Sequence, residues 1–152
     1  MPSPTIGVRI DKACAPSVSD SWVRRVIGHA LCGARLRSGW IGVLVTNNAQ
    51  IRRYNRRYLR HDYATDVIAF GASEDRWPRS QPRYIGDLVV SAQKARQVSK
   101  ELGIRFDEEL ARYLVHGTLH LAGYRDTNTK ERKRMHAFQE KLLNRLRMVK
   151  AA

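Results

Sequence analysis

The segment FDEELARYLVHGTLHLAGYRD, residues 106–126, predicts the element around which the fold is built. Its apolar residues recur at helical spacing, and its acidic residues lie at the start, so we expect an amphipathic helix with Asp107 as the N-cap. Gly123 predicts the end of that helix, because glycine adopts the left-handed backbone conformation without steric cost. The chain can then fold back and carry Asp126 towards the helix.

Three side chains in this segment form a candidate metal site. His116 and His120 are four residues apart, so their imidazoles lie on one side of the helix, one turn apart. With Asp126 they form the pattern His-x3-His-x5-Asp, which offers three ligands to a divalent metal. Two histidines at this spacing also occur in ordinary helix packing, but the glycine and the third ligand favour a metal site. His136 is a rival third ligand, and Asp126 has the shorter reach from Gly123.

The same segment follows the zinc-peptidase pattern H-E-x-x-H-x-x-G-x-x-H at both histidines and at the glycine. In those peptidases the glutamate after the first histidine is the general base. Here that position is Gly117. The sequence therefore predicts a metal site without the peptidase base, which disfavours a zinc peptidase.

The charge of the chain narrows the class of partner. Among 152 residues, 28 Lys and Arg against 14 Asp and Glu give a formal net charge of +14, which favours polyanionic partners such as RNA, DNA or an anionic membrane. Residues 1–11 contain no charged segment followed by an apolar stretch, and the apolar run near residues 40–45 is too short to span a membrane. We expect one cytoplasmic domain, residues 1–152, that binds nucleic acid and no membrane.

The highest local concentration of positive charge follows residue 48. Ile51, Tyr54 and Tyr58 recur on one side of a predicted helix and form its apolar face. The arginines that occupy the rest of this segment are Arg52, Arg53, Arg56, Arg57 and Arg60. They could form a solvated surface without a partner, but like charges at this density repel unless a polyanion neutralises them. We therefore predict that they bind the phosphates of a nucleic-acid backbone.

The remaining periodicities predict the fold class. Segments rich in β-formers at 5–11, 40–46, 65–70 and 84–91 predict four strands, of which 40–46 resembles a strand buried on both faces. A first helix is expected to be capped by Ser19 or Asp20, a later one by Ser91, and a last one by Thr127 or Thr129. The order βαβαββααα predicts an α+β fold: a single domain with a small mixed four-stranded sheet and about five helices.

Three motifs together resemble the YbeY family of bacterial endoribonucleases. They are HDYATDVIAF at residues 61–70, IGDLVVS at 85–91 and HGTLHLAGY at 116–124. The resemblance covers most of the chain and implies a zincin-like fold in which the helix that carries His116 and His120 holds one Zn2+ ion. It also implies cleavage of single-stranded RNA, maturation of the 3′ end of 16S rRNA with the small ribosomal subunit as partner, and ribosome quality control.

The resemblance transfers residue by residue with two departures. The first two zinc ligands of the family fall on His116 and His120, and the third, usually histidine, falls on Asp126. A carboxylate binds zinc at a similar distance and makes a harder cation easier to accept. An arginine that many members carry falls on Leu59, so Arg60, one residue further on, becomes the candidate catalytic contact to phosphate.

These observations define a leading hypothesis and an alternative. The leading hypothesis is a zinc-dependent endoribonuclease of rRNA processing, in which no general base is visible in the sequence. The alternative is a non-catalytic ribosome-assembly factor that binds rRNA and holds a structural metal. Both predict RNA binding that weakens as salt increases.

Overall fold

The computed structural model describes residues 4–59, 65–71 and 83–151, with side chains as far as residue 147. Within these ranges the elements are β1 (Thr5–Ile10), α1 (Asp20–Gly33), β2 (Trp40–Thr46), α2 (Asn48–Leu59), β3 (Val67–Gly71), β4 (Tyr84–Ser91), α3 (Ala92–Leu102), α4 (Phe106–Leu121) and α5 (Thr129–Ala151). The predicted α+β domain with four strands and five helices is confirmed. None of the described helices is long and apolar enough to cross a membrane.

The four strands form one mixed sheet in the order β1-β2-β4-β3. β2 is parallel to both β1 and β4, and β3 pairs antiparallel with β4 at one edge. The register places Gly7, Gly42, Asp87 and Phe70 opposite one another across the sheet. Side chains at these four positions therefore share one face.

The helices cover the two faces of the sheet unequally. α1 and α4 pack on one face, with α5 against both helices, and enclose the main core. On the other face α2 builds a small cluster from Ile51, Ile68 and Val89. We call these the covered face and the open face. The expectation that β2 is buried on both sides is wrong, because Gly42 and Leu44 on the open face are only half-buried.

Serine caps fix the starts of two helices as predicted. Ser19 Oγ accepts a hydrogen bond from the Trp22 N–H at 3.2 Å, and Ser91 Oγ accepts one from the Lys94 N–H at 3.0 Å. Gly103 ends α3 with φ of +68°, as its sequence position predicts. These helix ends could be predicted from the sequence because each capping residue satisfies backbone groups at its own end of the helix.

Two other helix starts differ from the prediction. Residue 105, not Asp107, is the N-cap of α4, and the Asp107 carboxylate in the first turn binds the Arg105 guanidinium at 2.9 Å. At α5 the cap is Asn128, whose Oδ1 accepts the Glu131 N–H at 2.8 Å, and neither Thr127 nor Thr129. Thr127 instead donates its hydroxyl to Glu131 at 2.8 Å. At α5 three capping residues stand side by side, so sequence alone did not identify the one that is used. At α4 the N-cap residue makes no side-chain capping hydrogen bond, so its position has no local sequence signal.

Candidate metal centre

The turn after α4 brings the third candidate ligand back towards the helix. Gly123 has φ of +101°, its N–H donates to the His120 carbonyl at 3.1 Å, and the Tyr124 N–H donates to the Leu119 carbonyl at 3.0 Å. These paired bonds are the Schellman motif. A Cβ at Gly123 would meet nothing within 4 Å, so glycine is required by the backbone conformation and not by space. The predicted helix end at Gly123 is confirmed.

The donor atoms of His116, His120 and Asp126 converge on one small space. The two Nε2 atoms are 3.1 Å apart, and Asp126 Oδ2 lies 3.4 Å from His120 Nε2. All three donor atoms lie within 4.8 Å of one another. The side chain of Asp126 is 44 % exposed, so the cluster faces solvent on that side.

Hydrogen bonds at the far side of each ring orient the two imidazoles. His120 Nδ1 lies 3.1 Å from the Tyr124 carbonyl oxygen, which can only accept, so Nδ1 carries the proton. His116 Nδ1 lies 2.7 Å from Gln139 Oε1 and donates in the same way. In the neutral rings both Nε2 lone pairs therefore point into the shared space.

This donor set fits a divalent metal. Two lone pairs at 3.1 Å repel unless a cation or a proton lies between them. Zinc bound tetrahedrally at about 2.05 Å from each nitrogen holds the two nitrogens about 3.3 Å apart. A neighbouring carboxylate and a protonated Nδ1 on each ring are the further features of such sites.

A polar network behind His116 holds Gln139 in place. Gln139 is only 5 % exposed, and its side-chain Nε2 donates a hydrogen bond to Glu140 at 3.2 Å. Arg112 binds Glu140 through two nitrogens, each at 3.0 Å, and binds Glu109 at 2.8 Å. The Arg112 hydrogen bond is the main reason that the pKa of Glu140 lies below its usual value. Sequence reasoning missed this network, because only the i,i+3 spacing of Glu109 and Arg112 is a local signal.

Side chains of the sheet occupy the space that a side chain at Gly117 would need. A Cβ on Gly117 would lie 2.8 Å from Leu88 Cδ2 and 2.9 Å from Val67 Cγ2. A glutamate side chain has no room there, since α4 packs directly on β3 and β4. The packing explains the glycine and removes the residue on which peptide hydrolysis depends.

The other predicted site residues lie elsewhere. His136 is exposed on α5, and among the described residues the cluster that could hold a metal ion consists of the three donors named above. The four arginines predicted to bind RNA are exposed on α2: Arg52, Arg53, Arg56 and Arg57. Arg60 lies outside the described residues. α2 and α4 lie on opposite faces of the sheet, and both contact the edge strand β3.

Comparison with known proteins decides the family. Residues 10–147 match the family model described as Endoribonuclease YbeY. The chain belongs to the YbeY family. This confirms the resemblance that the three sequence motifs indicated.

Individual relatives agree with the family assignment. Endoribonuclease YbeY of Bacillus licheniformis is 37 % identical over 111 residues, covering 69 % of this chain and 70 % of the relative. The Porphyromonas gingivalis protein of that name is 34 % identical over 128 residues, covering 82 % and 81 %. A longer Myxococcus xanthus relative is 38 % identical over 109 residues, which span 72 % of this chain but 37 % of that YbeY protein.

A solved structure has the same fold. The solution structure of TM1509 from Thermotoga maritima matches with a TM-score of 0.60 and covers 91 % of this chain and 87 % of its own. The two sequences are 22 % identical, so the likeness concerns the fold. It supports the single-domain arrangement of sheet and helices described above.

Proposed function

We propose that this protein is a zinc-dependent endoribonuclease that cleaves single-stranded RNA. The proposal extends to maturation of the 3′ end of 16S rRNA and to ribosome quality control in the cytoplasm, with the small ribosomal subunit as partner and residues 1–152 acting as one domain. The observation that carries it is the convergence of His116, His120 and Asp126 on one solvent-facing space in a YbeY family chain. Endoribonuclease is the activity named for the relatives.

The chain's own residues prepare this space for a cation. Gln139 and the Tyr124 carbonyl keep the protons of His116 and His120 on Nδ1, which leaves both Nε2 atoms free to bind. Asp126 adds negative charge on the exposed side, where a phosphodiester can approach. A single zinc ion held by these three residues would supply a Lewis acid next to the scissile phosphate.

The arginines of α2 hold the RNA backbone in this proposal. Arg53, Arg56 and Arg57 are exposed, and guanidinium groups bind phosphate through paired hydrogen bonds. Arg60 directly follows the described end of α2 and is the proposed contact to the phosphate that reacts. Such contacts position the strand and offset the charge that develops during cleavage.

The structural-metal alternative makes a different prediction about the core. Leu114, Val115 and Leu119 on α4 are fully buried by protein contacts alone. Structural zinc sites in proteins are normally closed by four protein ligands, whereas three donors with a solvent-facing side are typical of catalytic sites. The arrangement therefore favours the enzyme over the assembly factor.

The test compares Asp126→Ala with Glu101→Ala, a matched loss of an exposed carboxylate on α3. Zinc content is measured by mass spectrometry, and cleavage of a single-stranded RNA is measured on the same samples. We expect about one zinc per chain and cleavage in the wild type and in Glu101→Ala. Asp126→Ala should lose cleavage and most of its zinc while keeping its melting temperature without metal.

Three results would contradict the proposal. A wild type that binds RNA but takes up no zinc would support the assembly factor. A protein that unfolds when zinc is chelated would show a structural metal. Retention of full cleavage by Asp126→Ala would exclude Asp126 from the site.

A further inference from the structure

The open face of the sheet contains a hollow of about 820 Å³ next to α2. Its floor includes the opposed residues Gly7, Gly42 and Asp87. A Cβ at Gly42 would collide with the Asp87 carboxylate, so the floor depends on glycine. The absence of side chains at Gly7 and Gly42 leaves a depression between the strand edge at β1 and the aromatic residues of α2 and β3.

An exposed tyrosine forms one wall of this hollow. Tyr58 is 56 % exposed, yet two other rings hold it in place. Its ring stacks on Tyr54 with centroids 5.9 Å apart, and it meets Phe70 edge-on at 5.7 Å. Tyr58 therefore presents a fixed aromatic face to solvent, at little further cost in side-chain entropy when a ligand stacks on it.

A second pair of rings lies on the same face of β2. Trp40 is two residues before Gly42, so its side chain projects from the same side of the strand. It is exposed and stacks on Tyr84 at a centroid distance of 4.2 Å. The Tyr84 hydroxyl donates to Asp87, which ties this pair to the floor of the hollow. One aromatic group thus lines the hollow at Tyr58, and a second adjoins its floor through Asp87.

Positive charge lies beside Tyr58 and on the β1 side of the hollow. The Arg57 guanidinium carbon lies 5.4 Å from the centre of the Tyr58 ring. Arg9 and Arg24 line the β1 side of the hollow, where Arg24 also pairs with Asp20 at 3.1 Å. Among the described residues that line the hollow, Asp87 is the single carboxylate. Exposed rings with arginines around them are the features by which proteins bind single-stranded nucleic acid.

We propose that this open face binds single-stranded RNA by stacking bases on Tyr58 and on the Trp40–Tyr84 pair, with the flanking arginines holding phosphates. The proposal rests on the proposed function, since the strand bound here is the one to be cleaved. A duplex does not fit, because its bases are already stacked on each other and do not offer free faces. The surface would therefore select single-stranded RNA by its unstacked bases.

The test separates base stacking from charge. Affinity is measured by fluorescence anisotropy for two 12-nucleotide 2′-O-methyl RNAs of equal charge, an oligo(A) and an oligomer with abasic central positions. One stacked base contributes about 1–3 kcal/mol, so Tyr58→Ala should weaken oligo(A) binding about 5- to 150-fold. It should leave binding of the abasic oligomer unchanged, and Tyr58→Phe should retain wild-type affinity for both.

Two further variants keep the test interpretable. Tyr58→Leu preserves apolar contact with Tyr54 and Phe70 but removes the aromatic face, so it carries the test if Tyr58→Ala does not fold. Leu102→Ala removes another exposed apolar side chain, on α3, and should change neither affinity. Equal oligo(A) affinity of the wild type, Tyr58→Ala and Tyr58→Leu would overturn the proposal.

Cleavage assays distinguish this proposal from the proposed function. A raised KM with unchanged kcat in Tyr58→Leu supports both the stacking surface and the endoribonuclease. Wild-type cleavage with unchanged KM in Tyr58→Leu would overturn the stacking surface and leave the enzyme intact. Stacking-dependent binding by a protein that never cleaves RNA would support the surface and overturn the enzyme. A wild-type dimer that becomes monomeric in Tyr58→Leu, with RNA affinity unchanged, would show that a second copy covers this face and would overturn the proposal.

Discussion

The two sides of α4 are held in place by different kinds of interaction. On the sheet side, Gly117 lets the helix approach Leu88 and Val67 so closely that no side chain fits between them. One residue earlier, His116 points to the other side, where it bonds to Gln139 and faces His120. Apolar contact fixes one side, and hydrogen bonds orient the other.

This difference indicates how the candidate metal site is kept in shape. Ligands on a helix are positioned only as well as the helix itself, and dense packing against β3 and β4 leaves α4 little freedom. The polar network then sets the ring orientations, which packing alone does not determine. Changes on the sheet side should therefore reduce stability, and changes on the polar side should reduce metal affinity.

The largest effect is expected from the sheet side. Leu88→Ala opens a cavity beneath α4 and should lower the free energy of unfolding by about 2–5 kcal/mol. The matched change Leu44→Ala on the open face removes a half-buried side chain and should cost about 1 kcal/mol. Denaturant unfolding measures both. Equal costs would show that the two faces do not differ as the packing indicates.

The contact at Gly117 gives a second, smaller effect. Gly117→Ala places a methyl group 2.8 Å from Leu88 and should cost about 1–3 kcal/mol. Gly28→Ala in α1 is the control, since its Cβ would meet Ile6 at an ordinary 3.8 Å and the change should be neutral or stabilising by up to about 1 kcal/mol. In a Leu88→Ala background the new methyl group enters freed space, so Gly117→Ala should cost less there, by at least about 0.5 kcal/mol. If the costs of Gly117→Ala and Leu88→Ala simply add in the double variant, the strain at Gly117 does not arise from contact with Leu88.

The polar side is probed by Gln139. Gln139→Leu removes the acceptor for His116 Nδ1 and should weaken zinc binding about 10- to 100-fold, measured by competition with a chelator. Gln139→Glu keeps an acceptor at this position and should retain high affinity. If both variants bind zinc as the wild type does, Gln139 does not position His116.

Much of this site could be predicted from local sequence, because local geometry builds most of it. Helical spacing brings His116 and His120 together, and the backbone freedom of Gly123 returns the chain to Asp126. Gln139 could not be found in this way, since it reaches His116 only through the packing of α5 on α4.

The fold, like the site, was predictable where local sequence determines it and not where long-range packing does. Strand and helix order followed from periodicity and caps, so the architecture was predictable from the sequence. The exposure of Tyr58 was not, because an apolar residue on a helical stripe is normally expected inside. Whether it is buried depends on how far α2 extends over the sheet, and α2 covers Ile68 and Val89 but leaves the glycine floor open.

The smallest expected effect concerns pH and the Arg112–Glu140 pair. The pKa of Glu140 is lower in the folded protein than its usual 4.5, so the folded state holds the proton less tightly than the unfolded state. The stabilisation is therefore complete above pH 4.5 and decreases as the pH falls through the folded pKa. We expect the free energies of unfolding of the wild type and Glu140→Gln to differ by less than about 1 kcal/mol near neutral pH, because 32 % of the Glu140 side chain is exposed. This difference should become smaller as the pH is lowered. In an Arg112→Gln background the same comparison should show no such decrease, and a decrease of equal size there would assign the pH dependence to a group other than this pair.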